Sequence, residues 1–291
     1  ILASQGGHTE IAKTLLAKGA ELNVKNKNED TALILASQGG HTEIAKTLLA
    51  KGADVNARNK DNESPLVLAF QKDHTETVHS LLTKDANINA RDKYEMTALM
   101  YASEYGNTEL VDILLSEGAV VNDKDVVGET SLMYAARKGH STTVETLLAK
   151  GAEIDTGSID GMTALIYASL KNHTVIVKTL LSAGANINAK DRMNSTALIY
   201  ASREGHIRIA ETLLANNASV NLRDKYGDTA LMHAVMKGNK SIVNTLLASG
   251  AEVNVRNRTG DTPLVLALQK GHERIASILL TKGADVSVKN K

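Results

Sequence analysis

The chain has 291 residues, and 33 Lys and Arg balance 33 Asp and Glu, so its overall charge draws it neither to a phosphate backbone nor to an anionic membrane. It has no cysteine, which excludes a disulfide framework and any thiolate metal site. Apolar residues make up 43%, enough for a buried core, but only 3% of residues are aromatic and none is Trp, so that core has to be aliphatic.

No apolar run approaches the roughly 18 residues needed to span a bilayer, so membrane insertion is not expected. The N-terminus lacks a charged region followed by an apolar stretch, and an intracellular, cytoplasmic location is the expectation.

The order of the chain is set by a repeat. "ILASQGGHTEIAKTLLAKGA" occupies residues 1–20 and again residues 34–53. "TAL" or a close relative recurs every 33 residues at Thr31, Ser64, Thr97, Thr130, Thr163, Thr196, Thr229 and Thr262. Leu-Leu pairs keep the same step from Leu15-Leu16 to Leu279-Leu280. Nine repeats follow: 1–30, 31–63, 64–96, 97–129, 130–162, 163–195, 196–228, 229–261 and 262–291, the first and last partial, within one domain.

Each repeat predicts the same elements in turn. Thr or Ser opens a short first helix as its N-cap, and Pro65 and Pro263 sit one residue later, where a helix needs no N–H. Leu110, Val111, Leu114 and Leu115 then repeat at the spacing of one face of a second helix. The turn between the helices carries Gly, replaced by Asp73 and Asn172, and the turn after them carries Gly, replaced by Asp85 and Asn217. Asp and Asn are the residues that best tolerate the left-handed region, so both turns are expected to have positive φ. A polar finger closes the repeat, with Gly128, Gly161, Gly227 or Gly260 at its tip and Asn62 or Asn194 in their place. Glu29 and Glu95 fit that position poorly, and those two tips are expected to be looser.

A period of 33 with T-P-L-H-x-A, G-H, L-L and G-A-D-V-N in order resembles the ankyrin repeat, over the whole chain. The resemblance implies an all-α repeat solenoid, an ankyrin-repeat array of paired antiparallel helices with β-turn or hairpin fingers. It also implies a non-catalytic scaffold that binds a protein partner through its concave face and finger tips. One departure is systematic: the His of T-P-L-H is absent, replaced by Ile34, Val67, Met100, Met133, Ile166, Ile199, Met232 and Val265. An apolar contact is expected to substitute for it.

Catalytic, cofactor and metal residues are expected to be none. No nucleophile elbow, phosphate loop, dinucleotide fingerprint or H-E-x-x-H occurs. Seven of the nine His share one repeat position, but stacked repeats hold such residues about 10 Å apart, whereas a zinc ligand lies about 2 Å from its ion. Asn107 and Asn239 replace His there, which points to hydrogen bonding at the start of the second helix. His79 and His233 are single occurrences and read as half-buried surface residues. A column of Tyr101, Tyr134, Tyr167 and Tyr200 reads as a ladder of partly buried rings, with hydroxyls lining the groove as the alternative.

The candidate partner-binding residues are apolar side chains at positions that need none. They are Tyr94, Met96, Val126, Val127, Ile159, Met162, Met193 and Tyr226 at the tips, with Tyr105, Leu170 and Met236 on the helix positions of the same side. The alternative is that fingers pack on one another and hide them. Nucleic acid is not expected as a partner. Two other readings stay open: a recruitment arm of a larger enzyme or effector, and an engineered repeat scaffold. The terminal repeats lack the polar outer face of a cap, which predicts fraying or end-to-end self-association of residues 1–30 and 262–291.

Overall fold

In the computed structural model, which describes residues 1–287, each 33-residue period becomes two antiparallel helices and a finger. The last letters of the final repeat, 288–291, lie outside the described residues. Eighteen helices occur among the described residues, two per repeat. Ala98–Tyr105 and Thr108–Ser116 form one pair, and Ala197–Glu204 and Ile207–Ala215 another.

The caps are as the letters imply. Thr97 Oγ1 accepts from the Met100 N–H at 3.4 Å, Ser64 Oγ accepts from the Val67 N–H at 3.3 Å, and Pro65 and Pro263 stand in the first turn. Asp73 and Asn172 between the helices have φ of 56° and 64°, and Asp85 and Asn217 after them have the same two values. Both turns are therefore left-handed whichever residue occupies them.

The finger tips differ from expectation in one respect. Glu29 and Glu95 adopt φ of 64° and 61°, the conformation of Gly128 at 76°, so these tips have the same shape as the others. The residue three positions earlier imposes it: Asn26 and Asp92 each hold two finger N–H groups on one side-chain oxygen. Each Glu also pairs across the turn, with Lys25 at 3.3 Å and with Arg91 at 3.1 Å. Fingers are turns rather than extended hairpins; the β-pairing among the described residues is two isolated bridges, Arg91 with Thr97 and Arg223 with Thr229.

The chain divides into two compact bodies. The N-terminal body is Ile1–Tyr134 with Ala149–Ala152, and the C-terminal body is Ala135–Leu148 with the chain from Glu153 onward. Within each body, consecutive first helices pack side by side, as do consecutive second helices.

The duplicated segment shows where burial comes from. Leu2, Ile11 and Leu15 are 81%, 54% and 48% exposed, whereas their counterparts of identical local sequence, Leu35, Ile44 and Leu48, are 6%, 1% and 1% exposed. Sequence is constant between them and only the neighbouring repeat differs. A repeat buries its face by stacking.

The Asn of G-A-D-V-N supplies a second tie between repeats. Asn89 Oδ1 accepts from the Val120 N–H at 3.0 Å and its Nδ2 donates to the Gly118 carbonyl at 3.2 Å; Asn221 does the same to Glu252 and Gly250. The backbone groups it satisfies lie at the end of the next repeat's second helix, where carbonyls have no partner inside the helix.

Candidate functional site

Finger geometry follows from one side chain. At the first finger position Asp92 accepts on Oδ1 from the N–H groups of Tyr94 at 2.8 Å and Met96 at 3.0 Å. Asp125, Asp191 and Asp224 repeat this with Val127 and Glu129, with Met193 and Ser195, and with Tyr226 and Asp228. Wrapping the backbone around a carboxylate forces the first two residues after it outward and turns the fourth inward.

That rule sorts the predicted tip residues. Tyr94, Val126, Val127, Ile159 and Tyr226 fall on the outward positions and are exposed by 54%, 49%, 48%, 50% and 59%. Met193, also outward, is half-buried. Met96 and Met162 occupy the inward fourth position and are buried, at 9% and 8% exposure, so as contact residues they are corrected to core. Met96 lies against Tyr134, whose Oη is 3.8 Å from its sulfur. On the helices, Tyr105 is 45% exposed with its hydroxyl donating to the Gln71 carbonyl at 3.0 Å, and Leu170 and Met236 are half-buried.

Adjacent fingers are joined by a backbone hydrogen bond. In the N-terminal body the Val126 N–H donates to the Tyr94 carbonyl at 3.1 Å; in the C-terminal body Lys225 donates to Met193 at 2.7 Å and Arg258 to Tyr226 at 3.0 Å. This bond helps to set the spacing of adjacent tips, beside side-chain ties such as Asn257 Nδ2 to Asp228 at 2.8 Å.

The tyrosine column closes the brace from the other side. Tyr101, Tyr134 and Tyr200 are buried, and each donates its hydroxyl to the second oxygen of its own finger's Asp, at 2.7, 2.7 and 2.6 Å. Burial, then the bond to Asp191, pushes the Tyr200 pKa up to about 12; burial, then Asp92, likewise raises Tyr101. These hydroxyls are committed to the finger and do not line the groove. Tyr167 is half-buried, faces a finger that begins with Ser158 instead of Asp, and lies 5.4 Å beneath the Arg137 guanidinium.

A covariation in the letters encodes this brace and went unread. Asp92, Asp125, Asp191 and Asp224 have Tyr or His nine residues on, whereas Asn26, Asn59 and Asn257 have Leu35, Leu68 and Leu266. A buried carboxylate needs a donor on its second oxygen; the amide turns to neighbouring carboxylates instead, as Asn59 Nδ2 does to Glu63 at 3.0 Å.

His233 belongs to this column. Its Nε2 lies 2.8 Å from Asp224 Oδ2, doing there what the tyrosine hydroxyl does in other repeats. Asp224, Asp228 and His233 are the one set of three among the described residues whose ligand atoms lie within 4.8 Å of one another. Their atoms are already bonded, His233 to Asp224 and Asp228 to Asn257 at 2.8 Å. Burial raises the Asp228 pKa, with the Asn257 bond opposing it.

The shared His position is a hydrogen-bonding one, as expected, and its bond runs to the preceding repeat. His41, His74, His173, His206 and His272 give no side-chain cap to their own helix. Nε2 instead reaches a carbonyl 36 residues earlier, as His173 to Arg137 and His206 to Leu170 at 3.1 Å. Since a carbonyl only accepts, Nε2 carries the proton, and a free carbonyl at the end of one first helix is satisfied by the next repeat. Asn107 and Asn239 do cap their helices, accepting from Leu110 at 3.2 Å and Ile242 at 3.1 Å.

Tips and first helices share a concavity. In the N-terminal body Asn28 and Asp61 at tips, Asp30 and Glu63 beside them, and Leu35 and Gln38 on a first helix line a cavity of ≈ 440 Å³. Among the described residues, no helix is long and apolar enough to cross a membrane.

No curated protein matches the chain in sequence. The family described as "Ankyrin repeats (3 copies)" matches residues 1–92, 78–158, 132–224 and 198–290, which together span nearly all of it. With two helices and a finger in every 33-residue period, the chain belongs to the ankyrin-repeat family, an all-α repeat solenoid by class.

Proposed function

We propose that this chain is a non-catalytic interaction module that binds a protein partner through its outward finger tips and the adjoining ends of its first helices. Ankyrin repeats in general act as protein-interaction modules. The observation that carries the reading is the exposure of Tyr94, Val126, Val127, Ile159 and Tyr226, each near half or above, at positions where the finger needs no apolar residue. Tyr and aliphatic side chains on rigid turns are suited to contact, because little conformational freedom is lost when they are covered.

The test is selection of a random peptide library on the whole chain, followed by titration of the enriched peptides. The variant carries Tyr94→Ser, Val127→Ser, Ile159→Ser and Tyr226→Ser, all at exposed positions, and its helicity serves as the folding control. Each lost anchor is worth about 1 kcal/mol or more, so a peptide seated on the two substituted tips of one body should lose at least about thirtyfold in affinity. Peptides that bind wild type and variant equally would move the surface elsewhere on the molecule.

A further inference from the structure

The tips of the C-terminal body pair an outward apolar or polar residue with an outward charged one. They read Ile159-Asp160, Arg192-Met193, Lys225-Tyr226 and Arg258-Thr259. Asp160 is the sole carboxylate among these, and it faces Arg192 at 3.9 Å. Lys225 and Arg258 form no ion pair among the described residues.

The first-helix ends repeat the alternation, as Leu170-Lys171, Arg203-Glu204 and Met236-Lys237. Glu204 is held by Arg203 at 3.2 Å, and the Arg203 guanidinium lies 4.4 Å over the Tyr200 ring. Lysines at helix C-termini have an ordinary explanation in the helix dipole. Arg192, Lys225 and Arg258 do not, because they stand on turns.

The buried carboxylates beneath the tips are satisfied from within. Asp191 accepts from two backbone N–H groups and the Tyr200 hydroxyl; Asp224 accepts from two N–H groups and has His233 at its other oxygen. Lys225 and Arg258, which form no ion pair among the described residues, and Arg192, whose pair with Asp160 is exposed and long at 3.9 Å, are therefore the groups left to meet a partner. The N-terminal body also carries tip cations, Lys27, Lys60 and Lys93, but Lys93 is paired with Asp61 at 3.3 Å, and the cavity that Lys60 lines also holds Asp30, Asp61 and Glu63.

Resting on the interaction reading above, we infer that this face of the C-terminal body takes an acidic peptide segment with interspersed apolar side chains. Carboxylates of the segment meet Arg192, Lys225 and Arg258, while its apolar side chains cover Ile159, Met193 and Tyr226. Of the side chains between these cations Ile159 and Met193 are aliphatic and Tyr226 alone is aromatic, so the face offers bases a single ring to stack on and suits a peptide better than a nucleic acid.

The test uses two fluorescein-labelled peptides of equal length with Leu and Phe at the same positions, one filled with Glu and the other with Lys, and a labelled oligothymidylate. Anisotropy titrations of the whole chain should show the Glu peptide binding at least about tenfold tighter than the Lys peptide at low salt, with the gap closing as salt is added. The triple variant Arg192→Glu, Lys225→Glu, Arg258→Glu alters exposed tips only and should reverse that order, with unchanged helicity. Equal binding of the two peptides, tighter binding of the oligonucleotide, an unmoved triple variant, or no binding of the Glu peptide would each overturn the inference. The two readings fail separately. If library-selected peptides still lose affinity with Ile159→Ser and Tyr226→Ser but ignore the charge reversal, the contact surface stands and only its acidic partner falls.

Discussion

Replacing Tyr101 by Phe removes one oxygen from the core of a finger and should loosen a turn that it never touches. The hydroxyl donates to Asp92 Oδ2 at 2.7 Å, and Asp92 is fully buried. Once it is gone, that oxygen keeps only the Gln71 Nε2 at 3.4 Å. A hydrogen bond to a buried charged group is worth about 1.5–3 kcal/mol, and with Gln71 able to move closer we expect about 2 kcal/mol. Because repeats unfold in parts, the suitable assay is native-state hydrogen exchange rather than a single melting curve. The Tyr94 and Met96 amides, which rest on Asp92 Oδ1, should exchange about thirtyfold faster. Tyr105→Phe is the control, since that hydroxyl is exposed and bonds only the Gln71 carbonyl. The double variant Asp92→Asn, Tyr101→Leu copies the Asn59 and Leu68 of the preceding repeat and should recover much of the loss. Equal exchange in Tyr101→Phe and Tyr105→Phe, or additive losses in the double variant, would refute the brace.

Further outcomes follow from the same geometry. Tyr200 is held neutral in the folded state by burial and by its bond to Asp191, so its contribution is fully present below the ordinary tyrosine pKa of 10.0 and is lost as pH climbs through about 12. Tyrosinate absorbance of wild type minus Tyr200→Phe should show that late titration, coincident with loss of helicity. Glu95→Gly relieves a φ of 61° and loses only an exposed ion pair, so native-state hydrogen exchange should show its finger amides stabilised by about 0.5–1 kcal/mol. His206→Ala should cost about 1 kcal/mol through the lost bond to the Leu170 carbonyl, and His206→Asn should regain part of it by capping as Asn239 does. Thr9–Ala17 and Thr42–Ala50 are identical in sequence yet bury the same face to very different extents, so the former should exchange faster at every matched amide.

The architecture was legible because periodicity and turn chemistry are local properties. Thr97 as a cap, Pro65 in a first turn and Asp73 at positive φ each follow from a residue and its immediate neighbours. What the letters left open depends on where a finger's backbone turns. Met96 and Tyr94 lie two apart on one tip, and only the carboxylate of Asp92, by holding both amides, makes one core and the other surface. Glu29 seemed a poor tip residue on propensity alone, but Asn26 dictates the conformation and the propensity cost is absorbed. The hydrogen-bonding role of the His column was legible, but not its partner, which lies 36 residues away, beyond any local reading. The pairing of Asp with Tyr and of Asn with Leu, nine residues apart, was visible throughout and would have revealed the brace.

The central claim is that the outward tips are where a protein binds. Hydrogen exchange of the chain alone and saturated with a peptide selected on it would test this most directly. Slowed exchange at the tip amides of Val126, Arg192, Lys225 and Arg258, with the second helices unchanged, is the predicted result. Protection confined to the second helices, such as Thr108–Ser116 and Ile207–Ala215, would contradict it.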